Sequence, residues 1–137
     1  MPAAPTRPGD APGPARRLRA LRGATTVDRD DAAPLLAATA ELLRAMLDRN
    51  GLHVAEVVSI IVTTTRDLSS ADPARATRDL GWPLVPVLSM SEIGVPTGLP
   101  RCIRVLMHVD VPRAHSAPRP VYLRDATALR PDLAARA

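Results

Sequence analysis

CIRVLMHVDV, residues 102–111, is the stretch on which the architecture turns. Ile103, Val105, Met107 and Val109 recur with a period of two, the spacing of one face of a β-strand. Cys102, Arg104, Leu106 and His108 fall on the opposite face, and both faces read as at least half buried. An interior strand follows, with a guanidinium that cannot lose its charge set among apolar neighbours. Burial of an unpaired cation costs several kcal/mol, so Arg104 requires an anion.

The neighbouring segments supply a sheet around this strand. VVSIIVTTT (57–65) is β-branched and nearly continuously apolar, as a central strand should be. LVPVLSM (84–90) is another strand, whose Pro86 argues for an edge or irregular position. LRALRG (18–23) is a first strand ending at Gly23, and VYLRDATALR (121–130) a last short strand and tail. The clearest helix lies in DDAAPLLAATAELLRAMLDRNG (30–51). There Leu35, Leu36, Thr39, Leu42, Leu43, Met46 and Leu47 form one stripe. Asp30 or Asp31 can cap its start, Pro34 fits its first turn, and Asn50-Gly51 ends it. Asp72-Pro73 opens a shorter helix, PARATRDL, that stops at Gly81. The order β-α-β-α-β-β, with one more short strand, gives an α+β fold: a mixed sheet with helices packed on one face. An apolar face is then left over, and oligomerisation is the simplest way to cover it.

Composition narrows the function. The 137 residues suit a single domain. Residues 1–17 hold five prolines and little that is large and apolar, and read as a disordered leader. Residues 18–133 form the folded domain and 134–137 a flexible end. All 18 basic residues are Arg, and the net charge is +4. No basic stripe with stacking aromatics is visible, which argues against nucleic acid. A lone cysteine, Cys102, excludes an internal disulfide and reads as packing. His53, His108 and His115 lack metal-ligand spacing. No apolar run is long enough for a membrane span, and the leader lacks a secretory signal, so the expected location is the cytoplasm.

No nucleophile–base pair, Gly-rich phosphate loop or paired carboxylate stands out. What remains is a set of arginines, Arg22, Arg104 and Arg130, with Arg75 and Arg78 on a helix, beside Glu92 and Tyr122. These groups suit an anion carrying more than one carboxylate and a hydroxyl. Each also has a plainer reading. Arg104 could be a strand ion pair, Arg22 a turn salt bridge, Glu92 a solvated loop acid, Tyr122 a core residue, and Arg75 and Arg78 solvated helix charges.

Five blocks occur in order: RGATTVDRD (22–30), TTTRDLSSADPARATRDLGW (63–82), VPVLSMSEI (85–93), GLPRCIRVLMHV (98–109) and VYLRDATALRPDL (121–133). Together they resemble the monofunctional, trimeric chorismate mutases of the Bacillus type, over residues 18–133. The resemblance implies a homotrimer with a barrel-like core, and sites for chorismate in clefts between subunits, without cofactor or metal. It also implies a Claisen rearrangement to prephenate, in aromatic amino acid biosynthesis. By the same resemblance Arg104 faces the ether oxygen of the substrate, Arg22 grips a carboxylate with Tyr122 beside it, and Glu92 accepts a hydrogen bond from the ring hydroxyl. Leu88, Ser89, Met90 and Ser91 match the pocket wall. Asp72, Ala74, Arg75, Arg78, Leu129 and Arg130 match positions lining the cleft or its rim. Three positions depart from the better-known members: Asp72 stands where they carry Phe, Arg75 for Lys, and Ser89 for Cys. Asp72 and the absence of Phe leave open a mutase for isochorismate or a modified chorismate; a ligand-binding paralogue without turnover is a separate alternative. A Rid-type imine deaminase, also a trimer with interface clefts, is disfavoured by the five blocks.

Overall fold

The computed structural model describes residues 15–96 and 98–134. Most of the expected leader and C-terminal end therefore lies outside the described residues. The chain runs β1 (Arg16–Thr26), α1 (Ala32–Arg49), a 3₁₀ turn (Val54–Glu56), β2 (Val57–Thr64), α2 (Arg75–Asp79), β3 (Val87–Ser91) and β4 (Cys102–Pro112). It ends with β5 (Val121–Tyr122), a 3₁₀ turn (Arg124–Ala128) and α3 (Pro131–Ala134). The first strand starts earlier and runs past Gly23, and two short helical turns follow Tyr122 where a simple tail was expected.

The five strands are ordered β3-β2-β4-β1-β5. Strand β4 is antiparallel to both β1 and β2, whereas β2–β3 and β1–β5 are parallel, so the sheet is mixed. Strand β4 lies at the centre, and β3 is an edge that starts directly after Pro86. Among the described residues no helix is long and apolar enough to cross a membrane.

Helix α1 covers one face. Its 3.6-residue stripe buries Leu35, Leu42, Leu43 and Met46 completely against Leu21, Ile60, Val62, Met107 and Val109. The helix comes so close to β1 that a Cβ at Gly23 would run into Met46 Sδ and lie 3.1 Å from Leu42 Cδ1. Capping departs from expectation. Asp31 occupies the N-cap position without a side-chain cap bond, its carboxylate turning to Arg29 at 3.3 Å. Asp30 reaches away to accept the backbone N–H groups of Ser69 and Ser70 at 3.0–3.1 Å. The Ser70 side chain first, and then these amides, hold its carboxyl below the ordinary range. An acid serving a distant loop cannot also serve the helix.

The opposite face is open. Antiparallel register places Arg22 opposite Leu106 and Ala24 opposite Arg104, while Ile61 lies opposite Leu106 and Thr63 opposite Arg104. Directly paired residues share a face. Leu18, Leu88, Met90 and Leu106 are exposed there. The sequence reading buried both faces of β4; the structure corrects this, and the Arg104 side chain is 47% exposed. Alternation marks a residue's side of the sheet but not whether the chain has anything to lay on it.

At the end of α1, buried Asn50 pins the connection that leads into β5. Its Nδ2 donates to Met46 O at 2.8 Å and Arg119 O at 3.0 Å, and its Oδ1 accepts from Arg119 N at 2.7 Å. Asn50→Ala strands these groups and should lower stability by about 1–3 kcal/mol, read by urea denaturation. No measurable loss would mean that solvent replaces the tie.

Candidate active site

Arg104 stands at the junction of two cavities on the open face. The first, about 370 Å³, is lined by Arg22, Arg104, Tyr122, Leu129 and Arg130, with Ile61 and Thr63 on its floor. The second, about 730 Å³, is lined by Met90, Ser91, Glu92 and the following loop, and shares Thr63 and Arg104 with the first. Arg22 and Arg104 are diagonal neighbours across β1 and β4, about 7–8 Å apart. Ala24 and Thr63 flank Arg104 directly, and their small side chains leave its guanidinium uncovered.

Glu92 follows β3 and reaches back across the sheet. Its Oε1 lies 3.2 Å from Arg104 Nε, and its Oε2 accepts from Thr63 Oγ1 at 3.0 Å. No second carboxylate among the described residues lies within 4.0 Å of Arg104. The single charge of this half-exposed guanidinium is thus paired within the fold, while the site keeps Arg22 without any ion pair among the described residues. Arg130 is paired differently, its Nε and Nη2 lying 3.2 and 3.0 Å from the carboxylate of Asp132. Positive charge therefore predominates in the first cavity, and it can receive an anion.

Tyr122 is both core and lining. It is buried in a small cluster with Ala24, Cys102 and Ala126, against which Leu129 packs, and it also borders the first cavity. Cys102 is fully buried there, and desolvation pushes its thiol up. That is packing, as the sequence suggested.

The remaining expected residues lie elsewhere in the chain. Ser89 shares the face of Val62, which is buried under the helices, whereas Leu88 and Met90 share the open face with Ile61 and Thr63. Ser89 Oγ donates to Asp72 Oδ1 at 2.5 Å, and Ala74 N donates to the same oxygen at 2.9 Å. Asp72 thereby caps the turn into α2, whose regular part ends at Asp79, shorter than expected, with Gly81 following at φ +80°. Arg75 and Arg78 project exposed from this helix. From β3 to β1 is three steps of ~4.8 Å, about 14 Å. Asp72, Ala74, Arg75, Arg78 and Ser89 thus form a second group, lining neither cavity. Exposed Leu88 also stands outside both. Thr63, which lines both cavities and holds Glu92, carries no signal in the sequence; only strand register reveals it.

The Ser89 hydroxyl, then the Ala74 amide, hold the Asp72 carboxyl below 3.8. A depressed folded-state pKa contributes stability that is present above pH ~3.8 and lost as pH falls through the folded value. Ser89→Ala should move the Asp72 titration upward in an NMR experiment. The stability gap between the two proteins should be full near neutrality and shrink in acid.

Comparison with known proteins agrees with this geometry. The family model described as chorismate mutase type I matches residues 18–133. Chorismate mutase AroH of Thermus thermophilus is 46% identical over 117 residues, covering 85% of this chain and 96% of the relative. The Bacillus subtilis AroH enzyme is 42% identical over 117 residues, covering 85% and 92%. A solved chorismate mutase structure from Clostridium thermocellum superposes with a TM-score of 0.76 at 42% identity, covering 80% of this chain and 98% of that one. With an arginine-lined cavity on the open face of the same fold, the chain belongs to the chorismate mutase type I family.

Proposed function

We propose that this protein is a chorismate mutase, an isomerase that converts chorismate to prephenate for phenylalanine and tyrosine synthesis. The observation that carries the reading is Arg104: a guanidinium on the central strand, oriented by Glu92 and facing a cavity that also holds Arg22. The reaction is a Claisen rearrangement within one molecule. A C–O bond breaks while a C–C bond forms, and neither proton transfer nor a covalent intermediate is needed. The protein can contribute in two ways. It can hold the enolpyruvyl arm over the ring, and it can set fixed positive charge where the ether oxygen gains electron density.

In this reading Arg104 faces the ether oxygen, Arg22 and Tyr122 hold a carboxylate, and Glu92 accepts from the ring hydroxyl while steadying Arg104. Leu129 and Arg130 close the first cavity. Because the substrate is already one molecule, no bimolecular encounter is saved, and the electrostatic contribution gains weight. A single fixed donor is worth about 2.7–4 kcal/mol, or 10²–10³ in rate.

We further propose a homotrimer whose sites lie between chains. Two features support it. The open face exposes Leu18, Leu88, Met90 and Leu106. The Asp72–Arg78 group lies toward the far edge and helix-covered side of its own sheet, so it completes a neighbour's cavity more readily than its own. Leu88, Ser89, Met90 and Ser91 would then form the wall shared between chains. Cytoplasmic residence goes with this reading.

Arg104→Ala should lower kcat by at least about 10²–10³, followed as loss of chorismate absorbance with the product identified as prephenate. A change confined to KM would remove Arg104 from the transition state. Mixing Arg104→Ala with Arg78→Ala chains should restore activity in hybrid trimers, since some interfaces then pair two intact halves. Absence of any recovery after subunit exchange would place both arginines in a site formed by one chain.

A further inference from the structure

Glu92 is held at every polar atom. Its backbone N donates to Thr64 O at 2.9 Å, and its carbonyl accepts from Arg66 Nε at 3.2 Å. Its carboxylate takes Thr63 Oγ1 at 3.0 Å on one oxygen and Arg104 Nε at 3.2 Å on the other. Two of these four partners, Thr63 and Thr64, end β2, the strand paired with both β3 and β4, and Arg66 follows in the turn just beyond it. Gly94 makes room for the clamp: a Cβ there would lie 3.1–3.3 Å from the Arg66 side chain.

From this cradle we infer that Thr63 is a positioning residue for the mutase reaction: its hydroxyl fixes the Glu92 carboxylate, which in turn aims Arg104. The inference rests on the proposed function, and the chemistry is specific. An ionised carboxylate has only acceptor capacity, so a donor on Oε2 sets the rotation of the group and leaves Oε1 toward Arg104. Without that donor the carboxylate can turn to chelate the guanidinium with both oxygens, since bidentate pairing is the preferred geometry of the pair. Arg104 would then present less free charge to a ligand. Thr63 lies directly opposite Arg104 in the ladder and donates to Glu92.

The test uses the full chain and two readouts. Thr63→Val keeps the shape and removes the hydroxyl; Thr63→Ala is a second removal should Val disturb the sheet. Either should lower kcat/KM for chorismate about tenfold, the worth of one hydrogen bond to a charged group, and Thr63→Ser should recover most of it. In a Glu92→Ala background the same change should cost less than about twofold, because the group it orients is gone. An equal loss in both backgrounds, or none in the parent, overturns the inference. A crystal structure of Thr63→Val reads the geometry without reference to turnover. Glu92 turned onto Arg104 through both oxygens supports the positioning role, and Glu92 unmoved ends it. Failure of the parent protein to convert chorismate would count against the proposed function and leave the crystallographic outcome to judge Thr63.

Discussion

The pairing of Arg104 with Glu92 is the interaction around which the rest of the molecule is arranged. Two opposite charges at 3.2 Å on the middle of a sheet lose least to desolvation when they stay within reach of solvent or ligand. The fold meets this condition by leaving that side of the sheet bare. All the large helix packing goes to the other side, where Leu35, Leu42, Leu43 and Met46 are sealed against β1, β2 and β4. A guanidinium half exposed to water is weakly stabilising to the fold. The same guanidinium, once water is displaced by a ligand or a neighbouring chain, acts through a lower effective dielectric and becomes much stronger. Beside this pair Arg22, without an ion pair among the described residues, keeps its charge for a ligand on the open face.

That arrangement explains what could and could not be read from the sequence. Helix α1 was legible because its burial follows a 3.6-residue period that solvent exposure alone produces. Strand order was legible in part, since Pro86 marks an edge and the continuous apolar run of β2 an interior strand. The outer face of β4 was misread because apolar residues on a face that the chain leaves open and those packed on its own core carry the same pattern. Asp30 and Asp31 looked alike as helix caps, yet Asp30 is taken by the amides of Ser69 and Ser70, 39 and 40 residues away. Local preference lost to a tertiary partner that no window of sequence contains. Thr63 was invisible for the same reason: it is one of three consecutive threonines, and only the ladder with β4 distinguishes it.

The group around Asp72 shows how a departure from a family pattern can be absorbed. A carboxylate where relatives of the resembled type carry Phe would, if free, add negative charge beside an anionic ligand. Here the carboxylate is turned onto Ser89 and the Ala74 amide, both short bonds to a single oxygen. Each donor spreads that charge, and Arg78 adds a further favourable field. Ser89 stands where the same relatives carry Cys, and a hydroxyl donates to a carboxylate far better than a thiol does. The two departures therefore act as a pair. One brings an acid to the start of α2, and the other supplies the donor that holds it at β3.

This pairing also changes what keeps α2 in place. An aromatic ring would fix the start of the helix by burying apolar area, a non-directional force that tolerates small shifts. Hydrogen bonds of 2.5–2.9 Å tolerate little. Arg75 and Arg78 lie three and six residues beyond Asp72, on a helix of five residues whose Ala76 and Thr77 are buried. Their direction thus depends on polar geometry at β3 as well as on Ala76 in the main core and on Ala71, Leu80 and Trp82 packed against it. The cost is lost apolar cover; the gain is a fixed direction for two cations whose use depends on where they point.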